Sequence, residues 1–177
     1  PQAKVKNIGK SSHTGTKITF EPDPEIFKEI KFDLKQILTH LRQQAFLTKG
    51  VKIEVIDSRE GVALYNSFYF EGGLLSFLRH LSDGIPALQE VPFYVSRESE
   101  NVGVEVAFAY NNEIEIRELS FANNIYTPDG GMHLTGFRSA LTRGLNDYLK
   151  ANVSKQDEGL TGDDVREGLV VVVSVKI

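Results

Sequence analysis

The sequence predicts an α+β fold, with a mostly antiparallel sheet packed on helices. Three observations carry this: two long stretches with apolar residues at helical spacing, several short stretches of strict apolar alternation that return on themselves, and a closing valine-rich run. The first alternating segment, Thr16-Lys17-Ile18-Thr19-Phe20, puts Thr16, Ile18 and Phe20 on one strand face. Pro22-Asp23-Pro24 stops it, with Asp23 as N-cap and Pro24 at the first helical position. Phe27, Ile30, Leu34, Ile37, Leu38, Leu41 and Ala45 then recur at helical spacing up to Gly50, with Lys31 to Asp33 marking a point of interruption. Val51, Ile53 and Val55 make a half-buried strand, and Asp57 to Gly61 turns into a second that runs to Phe70.

Gly72-Gly73 lets the backbone turn sharply into a helix over Leu74 to Leu81, and it marks the best internal boundary. The chain divides there into residues 1–71 and 72–177. Phe93 to Ser96 reads as a short strand. Val104, Val106, Phe108 and Tyr110 share one face of the next, which is predicted to turn at Asn111-Asn112 and return through Ile114 and Ile116, giving an antiparallel meander. Beyond Ala122 to Gly131, a second long helix carries Leu134, Phe137, Leu141, Leu145 and Tyr148 as one apolar stripe. Arg138 flanks that stripe and Arg143 points nearly opposite. Thr161 and Asp164 read as a capping box for a short helix through Glu167, and Leu169 to Ile177 is a strand apolar enough to require burial on both faces.

Composition narrows the function classes. The 177 residues are 41% hydrophobic and 25% charged, ordinary for a globular chain of one domain or two small ones. The absence of cysteine removes thiol nucleophiles, disulfides and thiolate metal sites. His13, His40, His80 and His133 have no zinc-site spacing. No stretch reaches the roughly 18 to 20 apolar residues of a membrane span, and Pro1 opens a polar, lysine-bearing segment unlike a signal peptide, so the cytoplasm is the expected compartment. A net charge of −4 argues against free-standing, non-specific DNA binding, which needs many released counterions. Lys4, Lys6 and Lys10 form the clearest basic run, equally explained as a solvated loop.

Motifs for independent catalysis are missing: there is no GxSxG, P-loop or GxGxxG. Asp163-Asp164 reads as helix-start acids matching the macrodipole, and Glu113, Glu115 and Glu118 as a wet strand face rather than an acid–base pair. Gly130-Gly131-Met132-His133 precedes a helix, where free N–H groups bind anions in some folds, although a tight loop is the commoner reason for such glycines.

Several linked stretches nevertheless resemble one family in the same order. His13-Thr14-Gly15-Thr16-Lys17-Ile18-Thr19-Phe20 with Pro22-Asp23-Pro24-Glu25-Ile26-Phe27 looks like the end of the ATP-binding domain in the B subunits of bacterial type IIA DNA topoisomerases, gyrase and topoisomerase IV. Phe70-Glu71-Gly72-Gly73-Leu74, Val102 to Ala107, Asn123-Asn124-Ile125 with Asp129 to Arg138, and Thr161 to Leu169 continue the likeness. It is far more continuous than expected of other ATPases of the GHKL class.

The resemblance implies an ATP-driven strand-passage enzyme whose B subunit carries a GHKL ATPase domain followed by a transducer. On it, residues 1–71 are the carboxy-terminal piece of the ATPase domain and 72–177 most of the transducer. It implies ATP and Mg2+ as cofactors of the whole protein, with DNA, a cleavage-religation A subunit and a second B subunit as partners. The catalytic glutamate, the magnesium-binding asparagine and the lid are expected upstream of Pro1. The phosphate-sensing loop is expected beyond Ile177, so the chain alone is expected to be inactive and to bind no nucleotide tightly. Carried over residue by residue, Thr16, with Gly15 beside it, matches a position near the adenine, and Ile18 lines the same pocket. Arg138 matches a basic transducer position facing transported DNA. The residues alone equally fit a core strand and a solvated helix flank, and a stand-alone binding module touching DNA or a partner through Arg138, Arg143 and the amino-terminal lysines is the competing reading.

Overall fold

The computed structural model describes residues 6–12, 18–59, 61–82, 84–153 and 159–177. It separates into two compact units, Pro1–Asp33 and Leu34–Ile177. In the first, the described residues form neither helix nor strand. Asp23 makes the turn expected of a cap, its carbonyl accepting from the backbone N–H of Ile26 (3.1 Å) and Phe27 (2.8 Å) and its side chain from that of Glu25 (2.9 Å). The predicted helix does not continue from it, and regular helix starts only at Leu34. Ile26, Phe27 and Ile30 are 47–72% exposed, too little burial to support a helix whose stability must come from a buried face. Ile18 and Phe20 belong to no strand among the described residues, and Thr16 and Lys17 of the predicted strand lie outside them.

The second unit is built on a five-stranded mixed sheet, defined by β3 (Phe93–Ser99), β4 (Val102–Tyr110), β5 (Arg117–Ala122), β6 (Ile125–Tyr126) and β7 (Leu169–Lys176) in the order β3-β4-β7-β5-β6. Helices α1 (Leu34–Leu47) and α2 (Leu74–Leu81) pack on one face and α3 (Met132–Asn152) on the other, while β1 (Ile53–Asp57) and β2 (Leu64–Phe68) form a separate hairpin. The seven residues Leu169 to Val175 are all buried. Val170 and Val172 join Phe46, Leu47, Leu74, Phe77 and Leu78 in one core, whereas Leu169, Val171 and Val173 join Val106 and Leu134 in the other. A strand apolar at nearly every position is stable only with both faces covered and both edges paired. That requirement places β7 in the middle.

It also overturns the predicted meander. Val102–Tyr110 does not turn at Asn111-Asn112 into a partner; its hairpin mate is β3, joined through Glu100 (φ 54°) and Asn101. β7 intervenes between β4 and β5, antiparallel to the first and parallel to the second. Ile114 and Ile116 lie before β5 and stay 78% and 40% exposed. Asn123 and Asn124 take left-handed φ values of 49° and 64°, closing the two-residue turn between β5 and β6. This turn also binds its surroundings: Asn123 accepts from the Ile177 N–H (2.9 Å), and the Asn124 carbonyl accepts from the side chain of Gln44 on α1 (2.8 Å).

The aromatic rings of Phe70, Phe46 and Phe77 stack in series, 3.7 and 4.7 Å between centroids, across the Gly72-Gly73 turn. Gly73 takes φ 53° as it enters α2, the conformation that suits glycine there. α3 buries Leu134 and half-buries Phe137 and Leu141, but Tyr148, the last member of the predicted stripe, is 65% exposed.

The short helix α4 (Gly162–Arg166) begins with the predicted capping box. The Thr161 backbone N–H donates to the Asp164 carboxylate (2.8 Å), and the Asp164 N–H donates to the Thr161 hydroxyl (3.2 Å). Hydrogen bonds from the Thr161 side chain, then its backbone, hold Asp164 below the ordinary aspartate value of 3.8. A depressed folded value means the contribution is present above that ordinary value and is lost as pH falls through the lower folded one. Thr161→Ala is expected to cost about 1 kcal/mol. It should also flatten the stability loss expected for the unmutated chain below pH ~4, read by urea titrations across pH. An unchanged acid limb in the variant argues against the cap.

Candidate functional site

The expected nucleotide-side residues give the structure little to build on. Gly15 and Thr16 lie outside the described residues, and Ile18 is 81% exposed in the first unit. Among the described residues no three His, Cys, Asp or Glu side chains gather as metal ligands.

Arg138 is in a different position. On α3, one residue past half-buried Phe137, its guanidinium reaches β5 and makes a two-pronged pair with Glu118. Nε donates to one carboxylate oxygen at 3.1 Å and a terminal nitrogen donates to the other. The Glu118 side chain is 9% exposed and that of Arg138 39%, so the carboxylate is the buried partner. The bond to Glu118 holds Arg138 above its ordinary value. The sequence pattern placed Glu118 on a wet strand face with Glu113 and Glu115. Those two do lie in the open, paired with Arg117 just outside and at the start of β5, whereas Glu118 is drawn under α3.

Arg138 lines a shallow depression of about 450 Å3 together with Ser139, Thr142, Arg143, Gly162 and Arg166. α4 supplies the far wall and is held in place from two sides. The Asn146 side chain on α3 donates to the Leu160 carbonyl (2.9 Å) and accepts from its N–H (2.8 Å), and the Tyr110 hydroxyl donates to the Val165 carbonyl (2.7 Å). Burial raises the Tyr110 phenol above its ordinary value, so it remains a neutral donor at physiological pH. Arg166 donates from Nε to the Gly162 carbonyl (3.0 Å) and pairs with Asp163, whose side chain is 90% exposed. Among the described residues Arg143 has no ion-pair partner. Three guanidinium groups thus face one depression: one held by a buried carboxylate, one loosely paired and one with no ion-pair partner among the described residues.

Arg138 and Arg143, on different sides of α3 by helical projection, meet here because the depression wraps over the helix toward α4. Arg166 was invisible to that projection. The only local signal for it was a capping box placing a short helix before the buried strand.

The Gly130-Gly131-Met132-His133 segment forms the tight loop into α3. Gly130 (φ 73°) and Gly131 (φ 141°) take left-handed backbone conformations, Met132 is 91% exposed, and His133 Nε2 lies 3.2 Å from the Thr127 hydroxyl.

A family model described as DNA gyrase B matches residues 73–177, which include the whole sheet, α3, α4 and the arginine-lined depression. The chain belongs to the DNA gyrase B family. It is 44% identical over 177 residues to the DNA gyrase B protein of Streptococcus pyogenes serotype M3, covering 98% of this chain and 27% of that protein. It is 45% identical over 175 residues to the DNA gyrase B protein of Clostridium acetobutylicum, covering 97% of this chain and 27% of that one. The chain therefore spans about a quarter of the length of these relatives. Among solved structures, the 43K ATPase domain of Thermus thermophilus gyrase B, crystallised with an aminocoumarin, superposes with a TM-score of 0.77 at 41% identity, covering 89% of this chain and 43% of that one. The topoisomerase IV ATP-binding domain of Francisella tularensis gives a TM-score of 0.72 at 25% identity, covering 88% and 41%. No helix among the described residues is long and apolar enough to cross a membrane.

Proposed function

We propose that this chain is the coupling part of an ATP-driven type II DNA topoisomerase, relaying nucleotide state to the DNA gates. The observation that carries the reading is the DNA gyrase B match over residues 73–177, the part that forms the sheet and the arginine-lined depression. On this reading residues 1–71 end the GHKL ATPase domain and 72–177 make up most of the transducer. Gly15, Thr16 and Ile18 belong to the adenine side of the ATP site, and Arg138 faces the transported duplex. ATP, Mg2+, a cleavage-religation A subunit and a second B subunit serve the whole cytoplasmic enzyme. The switch is a rigid-body one, in which contact with the terminal phosphate, made by groups outside this chain, biases one domain's orientation on the other.

The test is reconstitution. Alone, this chain is expected to hydrolyse no ATP; joined to the amino-terminal and following segments of a gyrase B relative, it should hydrolyse ATP and, with the A subunit, pass DNA strands. Tight magnesium-dependent ATP binding by the isolated chain, measured by calorimetry, would overturn the division of labour. An inactive but folded chimera would overturn the functional assignment.

A further inference from the structure

We infer that Glu118 sets how tightly the arginine-lined depression holds duplex DNA, by occupying the edge of the Arg138 guanidinium that a backbone phosphate would otherwise take. This rests on the reading of Arg138 as DNA-facing and adds a residue that controls its grip. A guanidinium binds carboxylate or phosphate best through two parallel N–H donors, and the Nε edge of Arg138 is committed in that way to both Glu118 oxygens. Glu118 is the enclosed partner. Its backbone is registered against Val171 in the buried central strand, and its side chain is almost wholly covered. The exposed partner is Arg138, with more than a third of its side chain in solvent.

The other two arginines show the contrast. Arg166 is paired with a carboxylate that lies in water, a pairing of little strength, and Arg143 has no ion-pair partner among the described residues. Of the three arginines, Arg138 is therefore the one held back by a buried carboxylate. For a duplex that must pass rather than stay, a phosphate site in competition with a built-in carboxylate gives attraction without retention.

Glu118 acts through Arg138 and is a positioning residue, so the test is whether its effect depends on Arg138. Binding of a duplex of ~20 base pairs to the chain is measured by fluorescence anisotropy across a salt series. Glu118→Gln removes the charge and keeps the shape. It is expected to tighten binding ~3- to 10-fold at low salt and to steepen the log-affinity against log-salt slope by ~0.9, the signature of one more phosphate contact. Arg138→Gln is expected to weaken binding by less than that gain and to leave the slope nearly unchanged, because Glu118 already withholds this phosphate contact. In the Glu118→Gln/Arg138→Gln double variant the gain should vanish. If E118Q fails to tighten binding while R138Q weakens it, or tightens it equally in the R138Q background, the Glu118 inference falls and the DNA reading stands. If R138Q and Arg143→Gln both bind like the unmutated chain, the DNA reading falls and takes the inference with it. A measurement on the unmutated chain guards against misfolded variants: the Arg138 Nε–H resonance should shift on adding duplex as phosphate competes with Glu118. An unmoved resonance under saturating duplex overturns the inference.

Discussion

Phe77→Ala is expected to destabilise the second unit by about 3–5 kcal/mol, lowering the midpoint of thermal unfolding by roughly 6–20 °C. Phe77 is 2% exposed, stacks on Phe46 and lies 5.8 Å from Phe121, between centroids, on the sheet. Truncation removes the middle of a contact chain that runs from α1 through α2 to β5. The resulting void resists collapse because its walls are fixed: Val170 and Val172 belong to a strand paired on both edges, and Phe46 is held from the other side by Phe70. Part of the loss is the aromatic stacking itself, worth roughly 0.5–1.5 kcal/mol beyond burial. Differential scanning calorimetry or urea unfolding reads the effect. A loss under ~1 kcal/mol would mean that α2 is not seated on the sheet as described.

Gly168→Ala should be nearly as costly for a different reason. Gly168 has φ 70°, and a methyl group added there would meet the backbone carbonyl oxygens of Asn111 at 2.6 Å and Glu113 at 2.9 Å. The first is far inside contact distance and belongs to main chain that cannot rotate away. Gly168 also accepts the Asn111 N–H through its own carbonyl (2.9 Å), fixing where β7 enters between its neighbours. Left-handed strain of about 1–2 kcal/mol plus the displacement of this joint predicts a total of ~3 kcal/mol or more. Gly61→Ala is the internal control, with φ 78° and nothing within 4 Å of the added carbon. It carries the strain without the clash and should cost about 1 kcal/mol. Equal losses in the two variants would show that the close approach at Gly168 does not exist.

Elements set by local pattern were legible. The apolar period of α2 and α3, the capping box of α4 and the valine run of β7 each announced themselves within one segment. Pairing was not, because the neighbours of β7 are chosen by which arrangement covers it on both faces, a condition spread over the chain. The Asn111-Asn112 turn looked like a hairpin from its own residues and lost to that requirement. The helix predicted from Pro24 had the right period in Phe27 and Ile30, but period without a covering partner does not hold a helix. At the site, Arg138 was legible as a helix flank, whereas Glu118 was misassigned because alternation reports which face a residue takes and not what lies over that face. Arg166 comes from a helix too short to show a period.

The placement of β7 has a consequence for synthesis. Its two partners are made well before it: Tyr110, opposite Leu169, precedes it by 59 residues of chain, and β5 is also complete before α3 begins. At about 5–20 residues per second, the β3-β4 pair exists for ~3–12 s and the β5-β6 pair for ~2–9 s with their inner edges bare. The centre of the sheet is thus its last arrival, and the ribosome rather than chain diffusion times its closure, a period in which two open strand edges of the nascent chain need shielding from other chains.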